Sequence, residues 1–231
     1  MRTVLITGAN RGIGLEHARR YAERGAQVFA AVRKPEEAED LNALALVHRG
    51  HFDVLAYDAA DQAAPQLLKE RLGETPLDLL FANAGAMGGR RQNFGDVDAR
   101  AVLTLIQVNA LAPLVLAETL ADNVAASERK VMAFQTSLMG SIGDNSSGGA
   151  YAYRLSKAAL NMVGRGIASD LRARGVIAVL LHPGWVRTRM GGPSGRIGVE
   201  ECVEAQQRLL DTLTSGQSGR FFNYDGRELP W

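Results

Sequence analysis

Tyr153 and Lys157 stand four residues apart in the stretch Tyr151-Ala-Tyr-Arg-Leu-Ser-Lys-Ala-Ala-Leu-Asn161. On a helix that spacing puts both side chains on one face, with Cβ atoms roughly 6 Å apart. A phenol ordinarily ionises near pH ~10, so alone it is a poor acid or base at neutrality. An ammonium beside it favours the phenolate, and Lys157 is therefore predicted to pull the Tyr153 pKa down toward the working range. A phenol tuned in this way exchanges a proton with an alcohol or a carbonyl oxygen. Tyr151 is the rival, but the residue four positions on is Leu155, which carries no charge. Taken alone, the pair is equally well an amphipathic helix with a chance tyrosine and lysine. Its weight comes from the groups the rest of the chain delivers to the same place.

The first of these follows an apolar strand at Val4–Thr7: the turn Gly8-Ala-Asn10-Arg11-Gly12-Ile13-Gly14, after which Leu15, Ala18, Tyr21 and Ala22 recur at helical spacing until Gly25. A glycine-rich turn between strand and helix lets the backbone approach a pyrophosphate and aims helix N-terminal amides at it. The spacing is a variant of the dinucleotide fingerprint, in the strand-and-helix context that fingerprint requires. A second strand, Ala26–Val32, ends at Arg33-Lys34. An acid at that point binds the ribose hydroxyl of NAD, whereas a base accommodates the extra phosphate of NADP. No acid occurs before Glu36, and Arg11 adds a second guanidinium, a shape suited to phosphate. NADP(H) is the expected cofactor, ahead of NAD(H). The plain alternative is two solvated charges at a strand end.

Further strands are expected at 52–58, 77–82, 130–136, 176–181 and 220–224, with helices between them. Asp58 ends the third strand, where it would meet an adenine or simply make a turn. Asn83-Ala84-Gly85 ends the fourth, and the loop 88–95 reads as mobile. A long helix from about 98 to 123 carries Asn109 and Pro113; the proline removes a helical hydrogen bond, which predicts an irregular backbone and a free carbonyl near Asn109. Ser137 ends the fifth strand and His182-Pro183-Gly184-Trp185-Val186-Arg187-Thr188 follows the sixth, leading to a glycine-rich segment, 191–195, that reads as a lid. Alternating strands and helices make a parallel sheet covered on both faces. In such a sheet the ligand lies outside the C-terminal ends of the strands, and every group named so far falls at that edge.

Composition narrows the class. The chain has 231 residues, 46% hydrophobic and 22% charged, with a net charge of +1. That suits one α/β domain over residues 1–231 and gives no electrostatic footprint for nucleic acid or anionic membrane. No stretch is expected to be long and apolar enough to cross a bilayer. The single cysteine, Cys202, has no internal disulfide partner, which points to a reducing cytoplasm, and no histidine nearby to activate it. His17, His48, His51 and His182 are scattered without metal-ligand spacing, so no metal site is expected.

With Thr7–Gly14, Asn83-Ala84-Gly85, Asn109, Ser137, Tyr153, Lys157 and Pro183-Gly184 in this order, the chain resembles the short-chain dehydrogenase/reductase family over essentially its whole length. The Arg33 region, the segment 182–186 and the ending Asp225–Trp231 are most similar to its C-factor and sniffer-like carbonyl reductases. The resemblance implies a Rossmann-type, doubly wound parallel sheet of about seven strands, and an NADPH-dependent carbonyl reductase or alcohol dehydrogenase acting on a ketone or aldehyde. It implies that Tyr153 is the general acid and that Ser137 holds the substrate oxygen. Lys157 would tune Tyr153 and hold the nicotinamide ribose, and Asn109 would support a water joining Lys157 to solvent. Pro183, Gly184, Val186 and Thr188 would orient the nicotinamide carboxamide. Dimers or tetramers through the helices of Asn109 and Tyr153 are implied too. Met139, Tyr151, Trp185 and Met190 are candidate pocket walls, and equally candidate core. The short segment 188–198 predicts a site open to bulky carbonyls. Two alternatives belong to other classes. One is a signalling or scaffold protein that binds the dinucleotide with little turnover; the other is a lyase or dehalogenase, disfavoured by the intact glycine turn.

Overall fold

The run Thr-Val-Leu-Ile-Thr forms strand β1 (Thr3–Thr7), and its Val4, Leu5 and Ile6 are all fully buried. Side chains alternate across a strand, so burial of three in succession requires cover on both faces. The computed structural model, which describes residues 2–231, supplies that cover. Val4 and Ile6 pack with Tyr21, Leu41 and Leu210 on one side, while Leu5 packs with Leu68, Leu116 and Leu160 on the other.

The remaining main strands are β2 (Gln27–Val32), β3 (Phe52–Ala56), β4 (Leu79–Ala82), β7 (Val131–Gln135), β8 (Ile177–His182) and β9 (Phe221–Asn223). With β1 they form one seven-stranded sheet in the order β3-β2-β1-β4-β7-β8-β9, every pairing parallel. Helices α1 (Gly12–Glu23), α2 (Glu39–Val47) and α8 (Val199–Thr212) cover one face. The other is covered by α3 (Ala64–Leu72), α5 (Ala112–Thr119), α6 (Ala121–Ala125) and α7 (Tyr151–Asp170). This is the expected Rossmann-type doubly wound sheet. From β1 the chain winds outward through β2 and β3, then returns to start the other half at β4, so the order reverses between β1 and β4.

Three expectations need correction. The loop at 88–95 contains a two-stranded antiparallel hairpin, β5 (Gln92–Asn93) and β6 (Asp96–Val97); strands this short leave no readable alternation. The long helix is α4 (Ala99–Ile106), a π-helical turn at Gln107–Leu111, then α5, with Pro113 in the first turn of α5. The irregularity predicted near Asn109 is thus a π turn, closed by a bond from the Ala112 amide to the Gln107 carbonyl. Finally, Ala99–Thr119 is a helical run long and apolar enough by length and composition to cross a bilayer, with mean hydropathy 1.7. Its Thr104, Gln107 and Asn109 break the apolar run to the eye but are outweighed in the average. In the fold this run packs against α7 and α3.

Helix α7 must lie close on β8 to bring Tyr153 to the sheet edge, and Gly164 permits this: a Cβ there would sit 2.9 Å from two carbons of Leu180. Overpacking of this kind costs about 1–3 kcal/mol. Gly164→Val is expected to lower stability by about that amount in urea titration, and a variant as stable as the parent would show that the helix does not depend on this contact.

Candidate active site

The glycine turn sits where the sheet order reverses, and its geometry is set by how closely two strand ends approach. Gly8 has φ +65, and a Cβ on it would lie 2.8 Å from the Ala84 Cα. A Cβ on Gly14 would lie 2.4 Å from the Gly8 carbonyl oxygen and 2.6 Å from Asn83 Nδ2. Only hydrogen fits at either position. The approach is fastened by polar bonds: Asn83 Nδ2 donates to the carbonyls of Thr7 (3.0 Å) and Gly8 (3.2 Å). The amides of Asn83 and Ala84 both donate to the Thr7 hydroxyl. Thr7, the first residue of the glycine-turn motif, thereby ties the two strand ends together. No side chain caps the N-terminus of α1, so its first amides remain free to face an anion.

Arg11 and Arg33 are exposed, and neither is in an ion pair among the described residues; Lys34, by contrast, pairs with Glu37. Asp58 makes a turn, accepting from the Ala60 amide (3.0 Å) through Oδ1. Asn10 is exposed and Ile13 half-buried.

Ser137, Tyr153, Lys157 and Asn109 are all buried. Ser137 Oγ accepts from the Met139 amide (3.1 Å) and so caps a short 3-10 turn; its hydroxyl also acts on Tyr153 by hydrogen bonding, favouring the phenolate. The expected lowering of the Tyr153 pKa is not what its surroundings produce. Burial raises it, and Ser137 offsets only part of the rise. The Lys157 ammonium is 5.9 Å from the ring centroid and donates to the Gln135 carbonyl (2.9 Å). Burial pulls the Lys157 pKa itself down to about 8. Helical spacing correctly places the two groups side by side, but spacing does not show how far both are desolvated.

Asn109 lies in the π turn with its amide fully engaged. Nδ2 donates to the Ala86 carbonyl (2.8 Å) and to Ser156 Oγ (2.9 Å), and Oδ1 accepts from the Ala86 amide (2.8 Å). Ser156 in turn donates to the Tyr153 carbonyl (2.8 Å). A Cβ on Gly85 would lie 3.2 Å from Asn109 Oδ1 and 3.5 Å from Lys157 Nζ, so these three residues converge.

Pro183, Gly184, Val186 and Thr188 follow β8. The Pro183 carbonyl accepts from Cys202 Sγ (3.2 Å), and a Cβ on Gly12 would lie 3.4 Å from Thr188 Cγ2, which brings this segment against the glycine turn. The segment expected as a lid is anchored at Gly191. Thr188 Oγ1 accepts from the Gly191 amide, Trp185 Nε1 donates to the Gly191 carbonyl (2.7 Å), and Val186 bridges Ile197. Trp185, Met190 and Tyr151 are exposed rather than core, and Met139 is half-buried. Tyr151 stands 6.4 Å from Phe94, itself almost wholly exposed. The residue most completely missed from sequence is Gln92, buried in the short hairpin and bonded to the Tyr153 amide. A contact spanning 61 residues leaves no local signal.

Residues 2–196 match the family model for short chain dehydrogenase, and the chain belongs to that family, whose members are NAD(P)-dependent oxidoreductases. It is similar to C-signal of Myxococcus xanthus, 44% identical over 156 residues that make up 68% of this chain and 93% of that protein. Among solved structures it is similar to the carbonyl reductase Sniffer of D. melanogaster, at 31% identity and TM-score 0.91 with both chains covered completely. It is equally similar to the NADPH-bound carbonyl reductase from chicken fatty liver, at 32% identity and TM-score 0.91, covering 100% of this chain and 99% of that one. These likenesses bear out the subgroup expected from the sequence.

Buried Lys157 has a consequence for stability. Its folded pKa of about 8 lies below the ordinary 10.5, so unfolding takes up a proton between those values and stability rises with pH across that window. Lys157→Met, measured without cofactor, is expected to be more stable than the parent at neutral pH. The gap should close as pH rises from about 8 toward the ordinary value. A less stable variant at neutral pH would contradict the desolvated-ammonium account.

Proposed function

We propose that this protein is an NADPH-dependent carbonyl reductase that converts a ketone or aldehyde to an alcohol, with Tyr153 as the general acid. The observation that carries the reading is a buried Tyr153 beside Ser137 at the C-terminal edge of the sheet. Burial holds the phenol protonated at neutral pH, the state an acid needs in the reducing direction. Ser137 accepts from the Met139 amide, and its O–H, which bonds Tyr153 in the absence of substrate, would turn to donate to the substrate oxygen. Tyr153 then gives its proton to that oxygen, and Ser137 holds it in line. Lys157, fixed by the Gln135 carbonyl, stands beside the ring to favour the phenolate left behind.

The reduced nicotinamide, when bound, supplies the hydride that reaches the carbonyl carbon. The residues present suit such a group. Gly8, Asn10, Gly12, Ile13 and Gly14 would take the pyrophosphate at the uncapped start of α1. Arg11 and Arg33 would take the ribose phosphate, Asp58 would meet the adenine, and Asn83, Ala84 and Gly85 would line the crevice beside the adjoining ribose. Lys157 would hold the nicotinamide ribose, and Pro183, Gly184, Val186 and Thr188 would orient the carboxamide. Preference for NADPH is supported by two unpaired guanidiniums beside this cradle and by the likeness to an NADPH-bound carbonyl reductase. The chain acts as one dinucleotide-binding domain, and its free, buried Cys202 suits a reducing cytoplasm.

Likeness to C-signal favours a second reading, a signalling protein that binds the dinucleotide with little turnover. The buried Ser137–Tyr153 pair favours catalysis, because a protein that only bound the dinucleotide would not need a desolvated phenol there.

Tyr153→Phe is expected to lose carbonyl reduction by at least about a hundredfold while binding NADPH as the parent does. Retained turnover would remove Tyr153 from the role of acid. Arg33→Ala is expected to raise KM for NADPH about tenfold or more and to leave NADH nearly unaffected. Equal losses for both cofactors would rule out the phosphate contact.

A further inference from the structure

The helix that carries Tyr153 begins without a cap of its own. Its N-cap position is Ala150, held in the left-handed region at φ +46, with no side chain that can accept from the first amides. Those amides have no helical partner and need an acceptor when buried. The β5–β6 hairpin supplies acceptors from far along the chain. Gln92 Oε1 accepts from the Tyr153 amide at 2.9 Å, and Asn93 Oδ1 accepts from the Ala150 amide at 3.3 Å.

The other end of the Gln92 side chain is equally committed. Nε2 donates to the carbonyls of Met87 (3.0 Å) and Gly89 (2.6 Å), so the buried amide makes three hydrogen bonds with opposite polarity at its two ends. Met87 continues from Ala86, which Asn109 grips at both its amide and its carbonyl. The loop after β4 is therefore held at two points, by the π turn through Asn109 and by the start of α7 through Gln92. Asparagine carries the same groups on a side chain one methylene shorter, glutamate lacks the donors, and methionine lacks donors and acceptor alike.

We propose that Gln92 is a positioning residue for the reaction. It sets the height of Tyr153 above the sheet edge by locking the first turn of α7 to the loop that borders the cofactor crevice. The proposal rests on Tyr153 being the acid. It assigns Gln92 no contact with substrate or cofactor; its effect passes through the Tyr153 backbone. A displaced acid slows the proton-transfer step, whereas loss of folded protein merely reduces the amount of active enzyme.

The test is Gln92→Met, with Gln92→Glu as the variant that keeps an acceptor for the Tyr153 amide and loses the donors to Met87 and Gly89. Both are assayed with NADPH and a carbonyl substrate, in water and in deuterium oxide, beside Asn123→Ala as a destabilised control. Asn123 bonds the carbonyls of Gly73 and Thr75, remote from the Gln92 contact. For Gln92→Met, kcat is expected to fall about tenfold or more, with a larger solvent isotope effect and an NADPH Kd within about twofold of the parent. Gln92→Glu is expected to fall less, with the isotope effect shifted in the same direction, and Asn123→Ala to keep the parent isotope effect. A kcat within about twofold of the parent in Gln92→Met, or a fall with an unchanged isotope effect, would overturn the proposal. Should Tyr153→Phe remain active, the reading beneath it fails instead, whatever Gln92 does.

Discussion

Where the sheet order reverses, the end of β1 and the end of β4 come so close that Gly8 and Gly14 have no room for a Cβ. The rest of the structure depends on that approach. Asn83 and Thr7 fasten it with four hydrogen bonds between the two strand ends. The free amides of α1 lie at this approach, and Gly85 close by stands against Asn109 and Lys157. In a doubly wound sheet this reversal point is where a ligand must enter, because neighbouring connections depart to opposite faces. A bulkier residue at Gly14 would strike backbone oxygen, which cannot move aside as a side chain can.

From this point the chemistry follows by burial. Serine, tyrosine and lysine converge on the same edge, and each is largely withdrawn from solvent. Desolvation works against both charged forms, raising the tyrosine pKa and lowering that of lysine. The resting arrangement is a neutral phenol beside a reluctant ammonium. In the proposed reduction the phenol is the proton donor, and the ammonium beside it would offset the cost of the phenolate left behind. A costly buried Lys157 at this edge is in keeping with strained or costly groups gathering at functional sites.

Much of this was legible in the sequence because its signals are short-range or periodic. Continuous apolar runs mark buried parallel strands, glycine spacing marks the turn, and an interval of four residues puts Tyr153 and Lys157 side by side. The order of these motifs was enough to indicate the family. What stayed hidden depends on contacts between distant segments. The hairpin at 92–97 is too short to alternate, and the partners of Gln92 and Asn109 lie across the fold. The sign of the Tyr153 shift was misread because a neighbouring charge can be counted from spacing, while desolvation is known only once the core is assembled. Glycine content in the segment 191–195 speaks of freedom and not of the bonds with Thr188 and Trp185 that hold Gly191.

The central claim is that this site turns over carbonyl compounds with NADPH and does not merely hold a dinucleotide. Its most direct test follows NADPH and NADH oxidation by absorbance with the purified protein and a broad panel of ketones and aldehydes. The account predicts turnover with NADPH, weaker turnover with NADH, and acceptance of bulky as well as small carbonyls. Tight dinucleotide binding with no turnover of any member of the panel would contradict it and favour the signalling reading.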